Sequence, residues 1–189
     1  DGDVTVAGDN IISDELCEFL KVIGFSTVFL SYENAKRLGM KISSYGLVMQ
    51  SIDRSNDYKS FNFTYDFDFK EIYTLVKSNF DNIGDFEEWY PDISHRVRHN
   101  TCDIICISDD NQIVACAMRL FKTEKACIIG CVVTDKKYRN KGFATALVKK
   151  LSYNFDGDIY LFTEKEKNYE LYKKSGFEKI SRWAIGEGF

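Results

Sequence analysis

Apolar positions along the chain switch between two spacings, and each switch marks an element. Short apolar runs at Val4 to Ala7, Ser26 to Leu30 and Gly46 to Ile52 predict strands. Between them, Ser13-Asp14-Glu15 opens a helix whose Leu16, Phe19, Leu20 and Ile23 keep helical spacing up to Gly24, and Glu33 to Leu38 predicts a shorter helix. The polar, periodless stretch Asp53-Arg54-Ser55-Asn56-Asp57 reads as a linker. Beyond it the pattern predicts a strand over Phe61 to Tyr65 and helices over Asp68 to Ser78 and Asp85 to His99, with Pro91 in the first turns of the latter. Strands are expected over Asp103 to Ser108, Ile113 to Phe121 and Lys125 to Thr134, joined by turns rich in Asp, Asn, Lys and Thr, the mark of an antiparallel meander. A helix over Phe143 to Tyr153, a strand over Ile159 to Thr163, a helix over Lys167 to Ser175 and a strand over Phe177 to Ile185 complete the order. The expectation is an α/β chain, with a small N-terminal α/β domain over 1–57 and a larger domain over 58–189.

Composition narrows the class. Of 189 residues, 44% are hydrophobic and 29% charged, a globular balance that excludes a disordered or low-complexity chain. With 25 Lys and Arg against 29 Asp and Glu the net charge is −4, which argues against a nucleic-acid partner, although a local basic patch can still hold a small anion. Six cysteines (Cys17, Cys102, Cys106, Cys116, Cys127 and Cys131) lie mostly in apolar runs without C-x-x-C spacing, so they are expected as reduced thiols of a cytoplasmic protein. No apolar stretch approaches the roughly 20 residues of a membrane span, and no membrane partner is expected. The chain opens on Asp1 rather than Met, so residues are expected to have been removed ahead of it.

The segment from Cys127 to Val148 carries the chemistry. An apolar strand runs into a loop containing Arg139, Gly142 and Ala144, and a helix begins at once. Helix N-termini present unpaired N–H groups and partial positive charge, which suits phosphate. From Asp135 to Lys150 there are six basic residues and one acid, a local excess that points to a polyanionic ligand. Neither G-x-x-x-x-G-K-[ST] nor a post-strand G-x-G-x-x-G occurs.

What does occur is Arg139-x-x-Gly142-x-Ala144 between strand and helix, preceded by Val132-Val133-Thr134 and followed by Leu171-Tyr172-Lys173-Lys174-Ser175-Gly176-Phe177. This resembles the GNAT superfamily of N-acetyltransferases, with its [RQ]-x-x-G-x-[GA] loop and L-Y-x-x-x-G-F segment, and is similar to a bacterial subgroup with a V-x-T-P-x-x-x-R-x-x-G-Y-A core. The resemblance covers residues 61–189. It implies the GNAT acyl-coenzyme A acyltransferase fold, a mixed central sheet flanked by helices, with residues 1–57 either a separate α/β element or a degenerate half of the same fold.

It also implies roles. Val132, Val133 and Thr134 would pair with the pantetheine arm of acetyl-coenzyme A, and Arg139, Asn140, Lys141, Gly142, Phe143 and Ala144 would hold its pyrophosphate. Tyr172 would protonate the leaving thiolate, without a metal. The implied activity is acetyl transfer to an amine of a small molecule or peptide, by a cytoplasmic monomer or homodimer. The alternative is a non-catalytic acyl-coenzyme A binding or sensing domain. Two positions depart from the pattern: Asp135 and Lys136 replace the usual proline step, and Lys165 stands where many relatives carry an Asn.

Other residues carry less. His95 and His99 have the one-turn spacing of zinc ligands, but Arg96 and Arg98 beside them oppose a cation, so a structural or surface role is expected. Trp89-Tyr90 would line an acceptor pocket or simply pack, and Cys127 and Cys131 are expected to pack. Glu87, Glu88, His95 and Glu124 are unranked candidates for a general base.

Overall fold

Residues 2–8, 13–80, 82–164 and 168–188 are described by the computed structural model. The elements run β1 (Asp3–Thr5), α1 (Ser13–Ile23), β2 (Thr27–Ser31), α2 (Tyr32–Arg37), β3 (Ile42–Ser51), β4 (Phe63–Thr64), α3 (Phe69–Lys77) and α4 (Phe86–Arg98). They continue with β5 (Asp103–Asp109), β6 (Gln112–Lys122), β7 (Ala126–Thr134), α5 (Phe143–Tyr153), β8 (Asp158–Thr163), α6 (Tyr169–Lys174) and β9 (Phe177–Gly186). The order is the expected one, and the strands form a mixed sheet flanked by helices. Strand β3 begins at Ile42 rather than Gly46, because Ser43 and Tyr45 face out and hide its period-two start. The strand expected over Phe61 to Tyr65 keeps only Phe63–Thr64. A 3-10 turn at Lys136–Tyr138, absent from the sequence reading, precedes α5. Pro91 is the sixth residue of α4, deeper than its first turn. The carbonyl it leaves without a partner is that of Glu87, an exposed residue, so water can satisfy it.

The chain divides into two compact units, each drawing on segments from both sides of residue 57. The first comprises Asp1–Met49, Phe162–Lys167 and Lys179–Phe189. In it β1 pairs parallel with β2, and β2 pairs antiparallel with β9. Its core is Leu20, Val28, Leu30, Ala35, Leu38, Met40 and Ala184, with Phe29 stacked on Trp183 at 5.6 Å. At Gly46 a Cβ would overlap the Thr163 carbonyl and come within 2.7 Å of the Trp183 ring nitrogen, so only glycine fits.

The second unit, Gln50–Leu161 and Asn168–Glu178, holds the meander. Its strands lie in the order β8-β7-β6-β5-β4, antiparallel from β4 to β7 and parallel between β7 and β8. The β5–β6 hairpin closes on Asp110 and Asn111, both at positive φ (47° and 62°), as a tight two-residue hairpin turn requires. On one face Ile72, Leu75 and Val76 of α3 and Ile93 of α4 pack with Ile104, Cys106, Cys116, Met118 and Val133. Ile105, Ile107, Ala115 and Ala117 alternate to the other face, where α5 buries Phe143, Ala146, Leu147 and Leu151. Burying a leucine contributes about 1.5–3 kcal/mol, so the flank of α5 is firmly anchored and its first turn need not be.

Candidate active site

Strand β7 changes character halfway. Its parallel register with β8 runs from Ala126 opposite Asp158 to Ile129 opposite Leu161. Against β6 the register then slips: Cys116 faces Val133, but Met118 faces Gly130. Cys131 and Val132 therefore share one partner position, and Cys131 takes φ 47°. This is a β-bulge, which twists a strand and re-aims its backbone. Val132, Val133 and Thr134 follow, past the last registered β8 pair, with Val133 buried and the other two partly open.

The loop after β7 is built from its own side chains. The Asp135 carboxylate accepts the Lys137 N–H at 2.8 Å, and the Tyr138 N–H bonds the Asp135 carbonyl at 2.9 Å, which folds the 3-10 turn. Asn140 (φ 64°) and Gly142 (φ 91°) then turn the chain into α5 through the left-handed region, which Asn tolerates and Gly favours. Gly142 is the N-cap and has no side chain to occupy the amides ahead of it. The Ala146 N–H bonds the Gly142 carbonyl at 3.0 Å, so those of Phe143, Ala144 and Thr145 have no intrahelical acceptor. A Cβ placed on Gly142 would meet nothing within 4 Å, and the first turn contains no acid. Open amides, a cradle clear of side chains at Gly142, and exposed Lys136, Lys137 and Lys141 fit a diphosphate-bearing ligand such as coenzyme A.

The Arg139 side chain braces the loop. Its Nη2 donates to Asn79 Oδ1 at 2.7 Å and its Nε to the Thr134 carbonyl at 3.4 Å, which ties the loop to the end of α3 and to its own strand. Asn79, whose Nδ2 also donates to the Leu75 carbonyl at 2.9 Å, had no sequence signal. It lies in a different part of the chain with no motif around it.

Tyr172 sits half-buried on α6, which packs on α5. Burial pushes its phenol up, so it is protonated and able to donate at neutral pH. The thiols of Cys127 and Cys131 are pushed up to about 11 by burial, which keeps them protonated and poorly nucleophilic. Trp89 and Tyr90 join an aromatic cluster with Phe69 and Phe86, next to Tyr73. The rings of His95 and His99 lie 4.2 Å apart on the α4 surface. Among the described residues no group of three or more His, Cys, Asp or Glu is placed to hold a metal. Glu87, Glu88, His95 and Glu124 are all exposed, and Lys165 lies outside the described residues.

Comparison with known proteins agrees with the fold. The family model described as Acetyltransferase (GNAT) family matches residues 68–177. A GCN5-related N-acetyltransferase from Sphaerobacter thermophilus aligns at 19% identity and TM-score 0.65, over 86% of this chain and 61% of that one. A GNAT-family acetyltransferase from Colwellia psychrerythraea aligns at 14% identity and TM-score 0.67, over 94% of this chain and 72% of that one. A GCN5-related N-acetyltransferase from Kribbella flavida aligns at 12% identity and TM-score 0.63, over 92% and 73%. No curated protein matches the sequence. At these identities the likeness carries the fold and leaves the substrate open.

Proposed function

The chain belongs to the acetyltransferase (GNAT) family, and from that premise we propose that it transfers an acetyl group from acetyl-coenzyme A to an amine of a small molecule or peptide. The observation that carries this reading is the open N-terminus of α5, with free amides behind a left-handed Gly142 and lysines around it. In this reading the backbone from Arg139 to Ala144 holds the pyrophosphate. Val132, Val133 and Thr134, beyond the bulge, offer backbone groups to the pantetheine amides. The amine nitrogen bonds to the acetyl carbon as the carbon–sulfur bond breaks. The ammonium loses one proton to water or an exposed carboxylate before it attacks, the departing sulfur takes the Tyr172 phenolic proton, and the nitrogen's second proton returns through water to the Tyr172 phenolate. One coenzyme A should bind per chain, because residues 1–57 contain no second R-x-x-G-x-[GA] loop. All six cysteines are free, which suits a reducing cytoplasm. Among the described residues no helix is long and apolar enough to cross a membrane.

The test is a panel of small amines, polyamines, amino acids and peptides incubated with acetyl-coenzyme A, with release of free thiol as the readout. Calorimetry of coenzyme A binding runs beside it. Turnover with at least one amine class is expected. Tight binding without thiol release across the panel would instead indicate an acyl-coenzyme A sensor, and absence of binding would remove the reading altogether.

A further inference from the structure

His95 and His99 lie one helical turn apart at the C-terminal end of α4, both exposed, with their rings 4.2 Å apart and tilted by 39°. In the sequence Arg96 and Arg98 count against a cation there, but in the fold each is turned to an acceptor of its own. The Arg96 Nε donates to Asp92 Oδ1 at 2.8 Å, and its guanidinium lies over the Phe121 ring at 4.5 Å. The Arg98 Nε donates back along the helix to the Ser94 carbonyl at 3.2 Å. We infer that His95 and His99 form a chelating site for a late divalent transition-metal ion such as Ni(II) or Zn(II), with one nitrogen from each imidazole on the metal and water completing its coordination.

Spacing comes first. Residues four apart on a helix stand one above the other on the same face. Two nitrogens bound to one such ion, each at about 2.0–2.1 Å and at a tetrahedral angle, are about 3.3 Å apart. Rings with centres 4.2 Å apart reach that separation by side-chain rotation alone. The backbone beneath them is fixed. The His99 N–H bonds the His95 carbonyl at 3.0 Å, so the helical spacing holds even though His99 is the C-cap. Asn100, at φ 56°, then ends the helix, with its N–H on the Val97 carbonyl at 3.1 Å and the Thr101 N–H on the Arg96 carbonyl at 2.9 Å. The chain runs straight on into buried Cys102 and β5.

Electrostatics decides whether a cation can stay. The last carbonyls of a helix carry partial negative charge, which favours one. Arg96, Arg98 and Lys122 oppose it, but Lys122 too is engaged, with its ammonium on Asp103 Oδ1 at 2.7 Å and Asn100 Oδ1 at 2.6 Å. At so exposed a position water and salt screen these charges, and they lower metal affinity only several-fold. The gain from the second ligand is larger. Once one imidazole holds the ion, the other binds it intramolecularly, at an effective concentration in the millimolar range or above. Imidazole suits Ni, Cu and Zn rather than Mg or Ca, which prefer oxygen.

The test titrates the protein with Ni(II), Zn(II) and Mg(II) by calorimetry and follows the imidazole protons by NMR during the Zn(II) titration. The chain has two histidines, so both signals belong to this pair. One Ni(II) should bind per chain, at least about 10²-fold tighter than Mg(II), and Zn(II) should bind more weakly than Ni(II) or comparably. Both imidazole signals should shift together with Zn(II). His95→Ala and His99→Ala should each weaken Ni(II) binding by about 10²-fold, the scale of a lost intramolecular ligand. Both side chains are exposed, so these variants should keep the native circular dichroism; His95→Gln and His99→Gln repeat the measurement with a polar side chain. Ni(II) affinity that survives either replacement would overturn the site by assigning the metal elsewhere, first to the partly open thiols of Cys17 and Cys131. A shift of one imidazole signal without the other, or Ni(II) bound no more tightly than Mg(II), would overturn it as well.

Discussion

Helices α3 and α5 both begin just after a short polar connection, yet their first turns are opposites. The Asp68 carboxylate reaches forward to accept the Lys70 N–H at 2.8 Å, and Glu71 adds an acid to that first turn. The helix thus caps one of its own free amides and offsets its own dipole. Gly142 can do neither, no acid follows it, and exposed lysines stand nearby. Both helices bury their apolar flanks in the same unit, so stability alone does not explain the difference. A helix start that neutralises itself serves the fold, whereas one left bare and ringed by cations is suited to an anion from outside.

Giving α5 the cap of α3 is the severest way to break this contrast. Gly142→Asp places a carboxylate where the diphosphate would sit, at φ 91°, which disfavours any side chain. Coenzyme A affinity should fall about 10³-fold, equivalent to losing two charge-assisted contacts, while circular dichroism keeps its native form. Unchanged affinity by calorimetry would contradict the assignment of the loop.

Next in size is Tyr172→Phe, which leaves both helix starts alone. Turnover should drop about 10²-fold with the coenzyme A dissociation constant nearly unchanged, as expected for removal of a general acid. Because burial raises the Tyr172 pKa above its ordinary value of 10.0, the proton is present throughout neutral pH and is lost only on the alkaline side. The Tyr172-dependent part of the rate should therefore decline only on the alkaline side, with its midpoint above pH 10. A decline centred near neutrality that disappears in Tyr172→Phe would be incompatible with this role.

The mirror experiment strips α3 of its cap. Asp68→Ala should lower unfolding free energy by about 1 kcal/mol and leave coenzyme A affinity as it was. A loss of affinity comparable to that of Gly142→Asp would show that the two helix starts are not distinct in function. The smallest effect is expected from Cys131→Ala at the bulge. Its thiol is held protonated by burial, so turnover should stay within about twofold if the acetyl group passes directly to the amine. Accumulation of an acetylated Cys131 in wild type, seen by mass spectrometry, would argue for a two-step route.

The loop was legible because its determinants are neighbours. Arg139-x-x-Gly142-x-Ala144 lies between a strand run and a helix run, and Gly142 does take the left-handed angle that such a junction calls for. The Asp109-Asp110-Asn111 turn was legible for the same reason: its residues accept positive φ locally. Cys131 gave no such signal. A cysteine in an apolar run reads as ordinary strand, and its φ of 47° follows from the β6–β7 pairing, in which one strand must absorb an extra residue. The partner of Arg139 was equally hidden, since Asn79 ends a helix far away in the chain.

By itself, then, the sequence determined where helices start and stop, which strand faces are apolar, which turns close hairpins, and that a glycine-capped helix follows a strand amid lysines. These are preferences of a few adjacent residues, and they act before any long-range contact exists. Tertiary structure alone decided the register slip in β7, the seat of Arg139 on Asn79, and the placing of the Arg96 guanidinium over Phe121. Each of these joins segments distant in the chain, and such contacts are selected by the packing of whole elements.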